Sequence, residues 1–202
     1  MAEDILHLEQ ALVFIHDLTV PELALALTCF RENRALSLGE LAQVLEDDTA
    51  DVLLVAFSWR LLLPAPSSRS SMAWEELAPD MRTFAIWKQP AVIGRLVQTA
   101  STTGSWLPHR VLPQCSSTLP NEPERTERFL DYARQYAPGA EISANLLRAA
   151  LGEAGIRADL EKLIIDFKAA GVISPKLASL SDTARHASPL YEINPAVFNP
   201  AQ

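Results

Sequence analysis

The strongest constraint on the fold is a plan that the chain follows twice. Residues 36–64 (LSLGELAQVLEDDTADVLLVAFSWRLLLP) and 142–175 (ISANLLRAALGEAGIRADLEKLIIDFKAAGVISP) each read as a short helix, a turn, an apolar helix led by Asp, and a strand stopped by Pro. Ser37 with Glu40 three residues on is a capping-box signature, since each side chain can satisfy the other residue's backbone N–H. In the second stretch Ser143 caps a short helix over Ile142–Gly152 and Gly155 marks the turn. Gly171 stands where a helix end favours a left-handed residue. Identity between the stretches is slight, so the plan repeats and the residues do not.

The flanking segments extend both copies. Ile5, Leu8, Ala11, Leu12 and Ile15 recur at helical spacing and predict an N-terminal amphipathic helix. Pro21–Asn33 reads as a second helix, with Pro21 in a first turn that needs no N–H from it and Arg31 and Arg34 near the negative end. The first plan continues with a helix over Thr49–Trp59, a strand at Leu61–Leu63, a polar loop over 65–71 and a return strand at Met72–Leu77. The second has a leading helix at Arg125–Ala137, its third helix at Arg157–Ala170, and strands Val172–Ser174 and Pro189–Ile193 around a loop.

Between the copies, Met81–Ala100 carries Phe84, Ile86, Trp87, Val92, Ile93, Leu96 and Val97 and predicts a helix broken or restarted at Pro90, packing one module on the other. Residues 101–125 are rich in Ser, Thr and Pro, which is linker chemistry. The expected domains are 1–80, a connecting helix and linker over 81–125, and 126–202.

Helix, short helix, turn, helix and β-hairpin in that order make a winged helix-turn-helix. Over residues 19–80 and 126–195 the chain resembles the winged-helix superfamily in tandem, with a fold class of mainly α with small β-hairpins (α+β). The resemblance implies one of two non-enzymatic functions. One is a dimeric transcription regulator contacting duplex DNA through its second module. The other is a protein–protein adaptor like the acidic winged-helix partners of bacterial chromosome-condensation complexes. The resemblance rests on element order and carries over no functional residue.

Charge separates the modules. Residues 1–80 hold 14 Asp/Glu against four Arg, whereas residues 81–125 hold five Lys/Arg against two Glu. An acidic surface repels phosphate at long range, so nucleic-acid contact belongs to the later part of the chain. The third helix of a winged helix is the one that enters a DNA groove. In the first module it is apolar nearly all round, which predicts burial against protein on more than one side and makes Val52, Val55 and Trp59 candidate partner contacts. In the second module Leu160, Leu163, Ile164 and Phe167 face inward, while Glu161, Lys162, Ile165, Asp166 and Lys168 face elsewhere. Arg157, Lys162, Lys168, Lys176 and Arg185 form a modest basic set able to hold phosphates, with His186 beside it in the wing. Ile165 on the outer face favours a protein partner or a second copy.

Catalytic and metal signals are weak. The four histidines are dispersed and fall in no metal-ligand or nucleophile motif, and seven glycines in 202 residues leave no phosphate-cradling loop. Asp47, Asp48 and Asp51 read as helix-terminal acids. Trp59, Trp74, Trp87 and Trp106 read as packing aromatics, with a Trp-lined ligand pocket as a third possibility for function. Cys29 and Cys115 are far apart and outside any ligand spacing, and no apolar run approaches bilayer length. The expectation is a cytoplasmic protein with no enzyme activity, catalytic residue, metal, cofactor or membrane partner.

Overall fold

The computed structural model describes residues 2–30, 34–65, 73–137, 139–176 and 188–198. They separate into two units, one built from the chain up to residue 65 with Leu77–Leu107, the other from Ala73–Glu76 with residues 108–198. The chain is mainly helical with two small antiparallel sheets of three strands each. No helix among the described residues is long and apolar enough to cross a membrane.

The first unit begins with α1 (Ala2–Ala11), a 3-10 turn (Val13–Ile15) and α2 (Val20–Cys29). It continues through β1 (Leu36–Ser37), α3 (Leu38–Leu45), α4 (Thr49–Ser58), β2 (Leu63–Pro64), β3 (Ile86–Lys88) and α5 (Ala91–Thr103). Both halves of the predicted capping box form: the Ser37 hydroxyl accepts from the Glu40 N–H at 3.2 Å, and the Ser37 N–H donates to the Glu40 carboxylate at 2.8 Å. β3 lies between β1 and β2, with Trp87 opposite both Leu36 and Pro64. Trp87 is fully buried together with Leu23, Leu41, Val52, Leu53 and Leu96.

Three expectations for the middle of the chain are corrected. Residues 86–88 form a strand, not the first half of a broken helix. Ile86, Trp87 and Lys88 alternate exposed, buried, exposed, a period of two that the surrounding apolar residues mask. Pro90 then stands at the N-cap position of α5, whose Val92, Ile93, Leu96, Val97 and Ala100 are buried. The return strand expected at Met72–Leu77 is a 3-10 turn at Trp74–Glu76, closed by the Ala73 N–H donating to the Glu76 carboxylate at 3.0 Å; Met72 lies outside the described residues. Residues 101–125 are largely helical: α5 runs to Thr103 and ends at left-handed Gly104, and α6 (Pro108–Cys115) and α7 (Pro123–Tyr136) follow. Prolines that look like linker residues open these two helices, where an absent N–H costs nothing. Residues 81–125 are thus divided between the two units.

After α6 and α7 the second unit contains β4 (Glu141–Ser143), α8 (Ala144–Glu153), α9 (Leu160–Ala170), β5 (Ile173–Pro175), β6 (Leu190–Ile193) and α10 (Pro195–Phe198). β6 lies between β4 and β5, as β3 lies between β1 and β2. The Ser143 hydroxyl accepts from the Leu146 N–H at 3.3 Å, so Ser143 ends a strand and caps α8 at once. Phe129 of α7 and Phe167 of α9 meet at 6.3 Å between ring centroids in the core.

Helix, strand, helix, helix, strand, strand is the shared order from α2 and from α7, but the turns differ in chemistry. In the second unit Gly155 (φ +70) separates α8 from α9, and Gly171 (φ +76) follows α9. In the first unit Glu46 (φ +52) and Arg60 (φ +54) hold left-handed backbone in the corresponding turns. A side chain there is strained where glycine is not.

Candidate functional site

The site expected from sequence centres on α9. Asp159 precedes it, and one carboxylate oxygen accepts from the N–H groups of Glu161 (3.0 Å) and Lys162 (3.2 Å). These first-turn donors would otherwise attract an external anion, and the chain's own carboxylate occupies them. Leu163 and Phe167 are buried, while Leu160 and Ile164 are half-buried. Asp166, expected to face outward, is half-buried and accepts from the Ser116 hydroxyl at 2.8 Å.

Glu161, Lys162, Ile165, Lys168 and Ala169 are exposed and lie at the spacing of one helical face. Ile165 is 66 % exposed at its centre. The face therefore mixes one acid, two bases and a large apolar side chain. A groove reader presents bases and hydrogen-bonding side chains there instead.

The five expected basic contacts do not form one set. Arg157, Lys162 and Lys168 are exposed and make no side-chain hydrogen bond or ion pair among the described residues. Lys176 has its ammonium in a close ion pair with Glu141, both side chains partly exposed. That pairing bridges the end of β5 to β4, residues 35 apart in sequence, and no local spacing announces it. Arg185 and His186 lie outside the described residues.

In the first unit α4 is not covered all round. Thr49, Val52, Leu53 and Ala56 are buried and the helix packs on α2 and α3, whereas Asp51, Leu54 and Ser58 are exposed. Val52 is fully buried in its own unit and is corrected from partner contact to core residue. Val55 and Trp59 are half-buried, the Trp59 ring meeting Phe14 edge-on at 5.2 Å. The apolar residue that this helix presents outward is Leu54, 48 % exposed, which an almost uniformly apolar sequence does not single out.

Two concavities formed by described residues bear on the site. The larger, about 650 Å³ in the first unit, is lined by residues of α1, α2 and α5 together with Gln89, and no tryptophan is among its described lining residues. The smaller, about 430 Å³ in the second unit, lies beside the turn that precedes α9. Among the described residues no group of three His, Cys, Asp or Glu side chains is placed to hold a metal ion.

A protein-family model matches residues 31–200 of the chain. The chain belongs to that family. The matched stretch takes in both sheets and every residue discussed for α4 and α9, and leaves α1 and α2 outside it. No match was found among curated proteins or among solved structures.

Proposed function

We propose that this protein is a non-enzymatic adaptor built from two winged helix-turn-helix modules, and that the outer face of α9 binds protein. The element order and the strand order, first–third–second in both sheets, support the winged-helix reading. The observation that carries the function is Ile165, two-thirds exposed between Glu161, Lys162 and Lys168 on the helix that would otherwise enter DNA. An exposed large apolar residue framed by charges of both signs is the composition of a protein contact with a polar rim. The first-turn amides of α9 are engaged by Asp159, and Lys176 is paired with Glu141, so neither stands unpartnered toward a phosphate backbone.

A photo-crosslinking amino acid at position 165, placed in the full chain, tests the reading. The expected result is a discrete protein adduct, to another protein or to a second copy, that a crosslinker at exposed Arg148 of α8 does not give. Equal labelling from both positions, or an adduct with nucleic acid alone, overturns it. Transcription regulation through DNA is the second reading, favoured by the exposed, uncompensated Arg157, Lys162 and Lys168.

A further inference from the structure

The smaller concavity of the second unit is bounded by Ser117 and Thr118 from the loop before α7, Arg125 in the first turn of α7, and Gly155, Ile156 and Arg157 from the turn before α9. Its loop wall is held in place by one hydroxyl. Ser116, 3 % exposed, donates to Asp166 at 2.8 Å, shares a 2.8 Å hydrogen bond with the Thr118 hydroxyl, and accepts the Thr118 N–H at 3.3 Å. The Leu119 N–H closes the loop on the Ser116 carbonyl at 3.3 Å.

The two arginines belong to elements far apart in sequence, yet they line one concavity. Arg125 is in an ion pair with Glu122, its Nε 2.8 Å from a carboxylate oxygen, and its terminal nitrogens have no partner among the described residues. Arg157 makes no side-chain hydrogen bond or ion pair among them at all. The acids nearby are committed: Glu122 to Arg125, Asp166 to Ser116, and Asp159 to the start of α9. Planar guanidinium forks match the oxygens of a phosphate in paired hydrogen bonds, and serine and threonine hydroxyls complete such a shell.

We propose that this concavity binds a phosphate monoester between Arg125 and Arg157, with the Ser117 hydroxyl beside it, the Thr118 hydroxyl being engaged by Ser116. A monoester carries close to two negative charges at neutral pH; Arg157 meets it with an uncompensated guanidinium, and Arg125, whose charge Glu122 shares, with its terminal nitrogens. A volume of about 430 Å³ is within the range of small-molecule sites, and a phosphorylated small group fits it where a duplex does not. The inference is independent of whether α9 binds protein.

Titration of the full chain with inorganic phosphate, followed by ³¹P NMR at constant ionic strength in chloride, tests it. The expected result is saturable broadening, with blocked phosphoserine competing. Arg125→Gln and Arg157→Gln should each weaken binding about tenfold or more, the loss of one charge-assisted hydrogen-bonding fork. Far-UV circular dichroism of each variant checks that it is folded. Absence of saturable broadening, or broadening unchanged in both folded variants, overturns the proposal. Displacement of phosphate by duplex DNA but not by phosphoserine overturns it as well.

Discussion

Glu46 occupies a conformation in which glycine is the better residue, so Glu46→Gly should stabilise the first unit. Its φ of +52 and ψ of −126 lie where a side chain meets its own backbone. Such strain costs on the order of 1–3 kcal/mol. Glycine returns roughly 0.5–1 kcal/mol of that through the entropy of the unfolded chain. The Glu46 side chain is exposed and makes no hydrogen bond or ion pair among the described residues, so little else is lost with it. The expected net gain is about 1 kcal/mol. Glu46→Ala is the control, because it removes the same charge from the run with Asp47, Asp48 and Asp51 and leaves the backbone strain in place. Urea unfolding followed by tryptophan fluorescence is the assay, since Trp59, Trp87 and Trp106 all lie in the first unit. A Gly variant no more stable than the Ala variant refutes the reasoning.

Asn194 is fully buried, its amide donating to the Gly171 carbonyl and accepting from the Ala196 N–H, both at 3.0 Å. Asn194→Ala leaves both groups without those partners and should cost roughly 2–3 kcal/mol, read as lost stability and faster amide exchange at Ala196 in the second unit. Ser37→Ala removes the cap of α3 and should cost about 1 kcal/mol in chemical denaturation. The Glu40 carboxyl is held below its ordinary value of 4.5 by hydrogen bonds from the Ser37 backbone and hydroxyl, and by Arg34. Its contribution is therefore complete above that ordinary value and lost as pH falls through the lower, folded one. Glu40→Gln should make the acid limb of the stability curve shallower, and an unchanged limb contradicts the assignment.

Local signals in the sequence reach as far as groups that meet within one turn of helix. Ser37 with Glu40, Ser143, and Gly171 at the end of α9 all have their structural role written in spacing. Asp159 was legible as the acid leading a helix, and its carboxylate caps that helix. What escaped depends on partners far along the chain. β3 pairs with β1 roughly fifty residues earlier, so Ile86–Lys88 cannot be told from the helical residues after Pro90 until that pairing is known. Lys176 reads as one of the phosphate-holding bases because Glu141 is remote in sequence. Leu54 and Val52 are equivalent in composition, and only packing on α2 and α3 decides that one is core and the other surface. The same holds for Arg125, which joins Arg157 only through the fold.

The outer face of α9 is proposed to bind protein and not a DNA backbone. Titration of a fluorescent random duplex with the full chain at low salt, repeated across a salt series, measures this directly. The expected result is no saturable binding, and no change between the wild type and a Lys162→Gln/Lys168→Gln double variant. Binding with a log–log salt slope near −2.7, the value expected for about three phosphate contacts, and lost in that variant would contradict it.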